Sequence, residues 1–167
     1  MSMTRATQTV AVGLGSNLGP REALIEEALA RLAEHLGRPV RRSSVIETPA
    51  LLHPDDPAES HPPFLNAVAL FASDLAPARI LSRLQEVERA MGRDRSGELP
   101  WRPRRIDLDL LAVGGEIVDG PGLRLPHPRM PERDFVLRPL AEVWPDWRHP
   151  LLGRTAVELL AALERDT

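Results

Sequence analysis

Asp107 and Asp109 stand two residues apart in the run Ile106-Asp107-Leu108-Asp109-Leu110-Leu111. Apolar and acidic residues alternate there, so a strand would carry both carboxylates on one face and Ile106, Leu108 and Leu110 on the other. Asp is a poor strand former, so the pair opposes local propensity. Their Cα atoms would lie roughly 6.6 Å apart. At an effective dielectric of about 20, two carboxylates at that separation repel by about 2.5 kcal/mol. A divalent cation would turn the repulsion into ligation by hard oxygen donors. For a bare D-x-D the plainer reading, a solvated sheet face with two surface charges, is favoured. The flank alters that balance. Arg93, Arg95, Arg102, Arg104 and Arg105 stand against only Asp94 and Glu98. Carboxylates beside guanidinium groups suit a Mg²⁺–polyphosphate complex, in which metal and Arg share the phosphate oxygens. All 21 basic residues of the chain are Arg, so it is their clustering, and not their type, that informs.

Composition narrows the class. With 167 residues the chain suits one domain, 1–167, with a core of its own. Hydrophobic residues at 43% and charged residues at 27% match a soluble globular protein. A net charge of −3 argues against nucleic acid as a partner. The absence of cysteine excludes disulfides, thiolate metal sites and a Cys nucleophile. Without an apolar run of membrane-spanning length or a signal-peptide core, a cytoplasmic location with no membrane partner is expected.

The elements that must position the acidic pair follow from periodicity. Thr9 to Leu14 reads as a strand running into Gly13-Leu14-Gly15-Ser16-Asn17-Leu18-Gly19-Pro20, whose spacing fits neither a dinucleotide fingerprint nor a Walker loop. A tight glycine turn is expected, with Gly19 as N-cap and Pro20 opening a helix to Leu36. Val40 to Thr48 predicts a second strand. The prolines at 49, 54, 57, 62 and 63 then enforce a loop, where His53 and His61 match no metal spacing. Phe64 to Ser73 predicts a third strand interrupted by Asn66, either a bulge feature or an amide facing a ligand. Asp74 to Met91 is a helix opened by Pro77, with Gln85 and Glu88 on one side. After the acidic strand, Gly114-Gly115 suggests a hairpin into a short strand at Ile117, and Asp119-Gly120-Pro121-Gly122 another turn. Pro126-His127-Pro128 holds a histidine between rigid residues. A short helix is expected over Pro131–Leu137, and a last one begins at Thr155, with Glu158 completing a capping box and Val157, Leu159, Leu160 and Leu163 as its apolar residues. This order suits an α+β fold, a ferredoxin-like two-layer sandwich with a βαββαβ core, an antiparallel sheet, a C-terminal hairpin and extra helices.

From Val12 to about Pro145 the chain resembles the 6-hydroxymethyl-7,8-dihydropterin pyrophosphokinase family of folate biosynthesis. The resemblance rests on Gly13-Leu14-Gly15-Ser16-Asn17-Leu18, Phe64-Leu65-Asn66-Ala67-Val68, Trp101-Arg102-Pro103-Arg104-Arg105-Ile106-Asp107-Leu108-Asp109-Leu110, and Pro126-His127-Pro128 with Arg133-Asp134-Phe135. It implies transfer of pyrophosphate from ATP to the pterin hydroxymethyl group, with release of AMP. It further implies two Mg²⁺ ions held with ATP by Asp107 and Asp109, and Arg93 and Arg104 as catalytic arginines. Gln85, Glu88, Leu110, His127 and Arg133 then join Arg93 and Arg104 around ATP. Thr48, Pro49, Leu51, Phe64, Asn66, Trp101 and Phe135 bind the pterin, between two phenyl faces. A monomer acting on these two small molecules is expected. One departure stands out: Arg102 replaces the motif's usual glycine. The competing readings are another two-metal carboxylate phosphoryl or nucleotidyl transferase, and a non-catalytic nucleotide-binding homologue.

Overall fold

Four antiparallel pairings build the main sheet around its first strand. In a computed structural model describing residues 5–50, 53–58, 60–92 and 105–166, β1 (Gln8–Ser16) pairs with β4 (Phe64–Ser73) on one side and β5 (Asp107–Val113) on the other. Two short strands, β2 (Arg41–Arg42) and β3 (Ile46–Thr48), both pair with the far side of β4. Helices α1 (Arg21–Leu36) and α2 (Pro77–Ala90) complete the ferredoxin-like βαββαβ arrangement. Their stripes, including Ile25, Leu32, Ile80 and Leu84, meet Val10, Val12, Leu14, Phe71, Leu108 and Leu110 on one sheet face in a first core.

The C-terminal segment covers part of the other face. α3 (Asp134–Val143) and α4 (Ala156–Arg165) pack Val136, Leu137, Leu140 and Leu159 on Ala11, Leu70, Leu111 and Ala112, forming a second core. The extra helices therefore add a third layer to the two-layer sandwich. No helix among the described residues is long and apolar enough to cross a membrane.

Several local expectations change. The segment expected as one strand from Val40 to Thr48 is split, because Ser43 to Val45 bulge opposite Ala67 and Val68. Ser43 causes it: its N–H donates to Val68 O and its buried Oγ accepts from Val68 N–H at 2.9 Å, so side chain replaces backbone in the ladder. Gly114-Gly115 turns the chain without making a hairpin. The hairpin lies later, between β6 (Val118–Gly120) and β7 (Leu123–Leu125). Its two-residue loop has Pro121 followed by Gly122 at φ 79°, the residue types a type II turn requires. The helix expected over Pro131–Leu137 is a 3-10 turn at Met130–Glu132 followed by α3, which continues through Pro139. Burial of Val136, Leu137, Pro139, Leu140 and Val143 outweighs the backbone hydrogen bond that Pro139 cannot donate. α1 begins one residue late, with Pro20 as N-cap. The capping box of Thr155 and Glu158 is present, whereas Val157 is exposed.

Replacing Ser43 by Ala should leave the buried Val68 N–H without its acceptor, at a cost of about 1–3 kcal/mol. For a domain of this size that lowers Tm by about 2–4 °C per kcal/mol. Calorimetry checks it, and an unchanged Tm would show that the bulge does not depend on the hydroxyl.

Candidate active site

α3 leaves open the end of its sheet face that carries Gly13, Gly15, Asn66, Asp107 and Asp109. The register aligns these residues in two rows. Asn66 and Asp107 flank Gly15 in one, and Val68 and Asp109 flank Gly13 in the next. Asn66 thus lies two strand spacings from Asp107, roughly 9.6 Å. A cleft of about 500 Å³ opens over the rows. Both aspartates line it, half-buried, while Leu108 and Leu110 between and after them point into the first core. The alternation expected of the acidic strand is what places the carboxylates together.

Gly13 and Gly15 are strand residues, and the tight turn expected of the glycine run is confined to its end, where Gly19 has φ 83°. The two glycines serve as the cleft floor. A Cβ at Gly15 would stand 3.2 Å from Asn66 Oδ1 and 3.5 Å from Phe64 Cδ1, so even one methyl group would press on both. Phe64 forms one wall and Phe135, in the first turn of α3, another. The Arg133 guanidinium carbon sits 5.6 Å from the Phe135 ring centroid and steadies that ring. Asn66 Nδ2 donates to Thr48 Oγ1 at 2.7 Å. This contact fixes the amide and leaves Oδ1 to accept from a ligand N–H.

A bulge in β5 brings in the histidine. Val12 pairs with Leu110 but Ala11 pairs with Ala112, so Leu111 is the extra residue. Its carbonyl accepts the His127 N–H at 2.9 Å. Burial holds His127 at a pKa of about 4, reinforced by Arg133 and only partly opposed by Asp107. Its Nδ1 accepts from the Arg129 N–H at 3.3 Å, so the neutral ring carries its proton on Nε2. Burial also lowers the Arg133 pKa, with Asp109 acting in the opposite direction. Arginine nevertheless stays charged at neutral pH. A desolvated cation therefore faces the acidic pair.

Comparison with known proteins decides the family. Residues 11–145 match the family described as 7,8-dihydro-6-hydroxymethylpterin-pyrophosphokinase. The chain belongs to this family. A 2-amino-4-hydroxy-6-hydroxymethyldihydropteridine pyrophosphokinase of Pseudomonas aeruginosa is 43% identical over 155 residues, covering 93% of this chain and 91% of that protein. A folate synthesis bifunctional protein of Chlamydia caviae is 39% identical over 143 residues, 86% of this chain but 32% of that one. The Plasmodium falciparum HPPK-DHPS crystal structure with pteroate superposes with a TM-score of 0.71, covering 97% of this chain and 43% of that one. At 15% identity, that likeness speaks for the fold alone. The chain thus spans about a third of the bifunctional relative's length and nearly all of the Pseudomonas pyrophosphokinase.

Of the site residues expected for this pyrophosphokinase family, Thr48, Pro49, Phe64, Asn66, Asp107, Asp109, Arg133 and Phe135 line one cleft. His127 lies close enough to feel Asp107 and Arg133. Glu88 is 2% exposed, and its Oε2 accepts the Leu108 N–H at 2.9 Å. Gln85, half-buried one turn earlier on α2, and Leu110, whose side chain lies in the first core, do not line the cleft. Leu51, Arg93, Trp101 and Arg104 lie outside the described residues. Sequence reasoning missed the polar rim of Glu47, Arg129, Glu132 and Arg138, which no short motif marks, and gave no role to Asp134 within the motif it did quote. It also missed the glycine floor. Continuing the alternation of Val10, Val12 and Leu14 would have put Gly13 and Gly15 on the aspartates' face.

Gly15→Ala should weaken binding of a ligand held at Asn66 and Phe64 by roughly tenfold, the cost of about one lost hydrogen bond. Titration calorimetry with a pterin reads this, and wild-type affinity would exclude the floor as a constraint. The folded His127 pKa lies below the ordinary 6.5. As pH falls from about 6.5 towards 4, the unfolded chain takes up a proton that the folded one refuses, and this residue's contribution erodes stability across that window. ¹⁵N NMR should find His127 neutral, with hydrogen on Nε2, at pH 6; a charged ring there would contradict the assignment.

Proposed function

We propose that this chain moves the β,γ-diphosphoryl group of ATP to the hydroxymethyl oxygen of 6-hydroxymethyl-7,8-dihydropterin, giving the pterin diphosphate and AMP. Family membership carries the reaction class. The observation that supports it in this molecule is the pair of rows across the sheet, with an amide-reading subsite at Asn66, a glycine floor, and two carboxylates at the far side. The pterin ring lies on that floor between Phe64 and Phe135. Offset stacking contributes about 0.5–1.5 kcal/mol per aromatic pair. Asn66 Oδ1 accepts from the pterin's edge, with Thr48, Pro49, Leu51 and Trp101 completing the subsite. The acceptor hydroxyl is thereby directed towards Asp107 and Asp109.

Two carboxylates on one face offer the hard oxygens Mg²⁺ prefers, so the residues fit the ion. Among the described residues no group of three or more acidic, His or Cys side chains could hold a metal ion, so the remaining ligands would be phosphate and water oxygens. Asp107 and Asp109 would hold two Mg²⁺ ions with ATP; when bound, these neutralise phosphate oxygens and acidify the acceptor hydroxyl. Arg133 and the His127 Nε2–H then meet phosphate oxygens from the side, with Arg93 and Arg104 supplying the remaining positive charge. Glu88 fixes the edge of β5 beside the nucleotide, Gln85 continues that side, and Leu110 contributes through its backbone. In the transfer, the acceptor oxygen bonds to the β-phosphorus as the bond to the α,β-bridging oxygen breaks. AMP leaves with those electrons, and the hydroxyl proton departs to an aspartate or water. The protein chiefly positions and neutralises charge. The unit works as a monomer in the cytoplasm.

With ATP, Mg²⁺ and the reduced pterin alcohol, mass analysis should find AMP and the pterin diphosphate. Pyrophosphate release would point instead to nucleotidyl transfer, and no turnover to a binding homologue. Asp109→Ala should lower Mg²⁺-dependent turnover by at least about 10²-fold, as loss of a preorganised charge-stabilising group does. Pterin affinity should stay within twofold, roughly 0.4 kcal/mol. Near-normal turnover would refute the ligand assignment.

A further inference from the structure

The Pro-rich loop between Thr48 and Phe64 carries a buried acid–histidine pair that the reaction does not use. Asp56 and His61 have side chains 0% and 6% exposed, and His61 Nε2 lies 2.7 Å from Asp56 Oδ2. A carboxylate only accepts, so Nε2–H is the donor. The other oxygen, Oδ1, accepts the Ala58 N–H at 2.9 Å, and the Asp56 N–H donates to His53 O at 2.9 Å. One aspartate thus ties together three separate points of a segment whose described residues form no helix or strand. The far end of the loop is anchored as well: Asn17 Nδ2 donates to Pro62 O at 3.0 Å, and Arg21 donates to Pro63 O at 2.9 Å while pairing with Glu47 at 3.1 Å.

Both ends of this loop reach the cleft, Thr48 and Pro49 at one and Phe64 at the other. A second hollow behind them is bordered by Glu47, Thr48, Pro49 and His61. Glu47, Thr48 and Pro49 border both hollows, so they form a thin wall with the cleft on one side and the His61 side of the loop on the other. Pairing of Thr48 with Phe64 holds that wall from the sheet side, and the loop that Asp56 and His61 tie together is its second support. Burying a polar pair is costly unless it is satisfied, and once satisfied it selects one arrangement of the chain around it.

We propose that Asp56 and His61 form a clasp that sets the position of Thr48 and Pro49, making them positioning residues for the acceptor subsite and not for the nucleotide. This inference rests on the assignment of that wall to the pterin. It predicts a split between substrates. His61→Ala and Asp56→Ala should each raise KM and Kd for the reduced pterin roughly tenfold, as for one lost hydrogen bond. Kd for Mg²⁺–ATP should remain within twofold, a difference of roughly 0.4 kcal/mol. The double variant should be no worse than Asp56→Ala, because that change already removes the contact that His61→Ala removes, together with the bond from the Ala58 N–H. His61→Gln, whose amide N–H replaces Nε2–H, should restore pterin affinity, which a general loss of packing would not allow.

Pterin constants within twofold of wild type in both alanine variants would overturn the clasp. So would equal losses for both substrates, or failure of the glutamine variant to rescue. If an alanine variant does not fold, hydrogen exchange on the wild type and on His61→Gln decides instead. A His61 ring N–H in wild type that exchanges as fast as a solvated one excludes the pair. Should the wild-type chain fail to convert the pterin at all, the proposed function falls, whereas a slowly exchanging His61 N–H would still report the clasp.

Discussion

Everything at the cleft depends on the pairing register of three strands. Backbone hydrogen bonds between β4, β1 and β5 fix which residues stand side by side, and a slip of one residue would turn every side chain to the opposite face. In the observed register, Gly15 lies between Asn66 and Asp107, and Gly13 between Val68 and Asp109. Recognition of a flat ring and gathering of negative charge are thus placed a fixed distance apart by the sheet itself. No loop need be ordered to set that spacing. The glycines matter because any side chain on the central strand would fill the space between the two functions.

The mutual repulsion of Asp107 and Asp109 is offset by their surroundings. Arg133 sits at the N-terminal end of α3, where the helix adds its own partial positive charge, and it is drawn towards both carboxylates. Its guanidinium also packs on Phe135, so one cation links the charged and the aromatic halves of the site. His127 arrives by a different route, through the carbonyl that the Leu111 bulge turns outward. The same bulge puts Leu111 and Ala112 together in the second core, so the packing that seats α3 and the contact that seats His127 have one origin.

The two cores divide the labour. The first, beneath α1 and α2, buries Leu108 and Leu110 and locks the acidic strand against rotation. The second stops short of the sheet's end. α3 covers Leu70, Leu111 and Ala112 and leaves the glycine rows open, so the cleft is the part of the sheet face that the added helices do not reach.

Periodicity alone determined much of this. The alternation at 106–110 specified that both aspartates share a face, because side chains along a strand alternate whatever the strand pairs with. The βαββαβ order, the helix opened by Pro77 and the capping box at Thr155 were equally local, and the motifs from Gly13 to Phe135 carried the family. Tertiary structure decided the rest. Ser43 breaks a strand that its own neighbours would have continued, since its hydroxyl competes for the Val68 N–H across the sheet. Pro139 lies within a helix because buried neighbours compensate for its missing donor. His61, whose spacing matched no metal motif, is paired with Asp56 because folding buries both. Whether a glycine run is a turn or a cleft floor, and whether a histidine has a partner, depends on residues distant in the chain, and such contacts leave no period in the sequence.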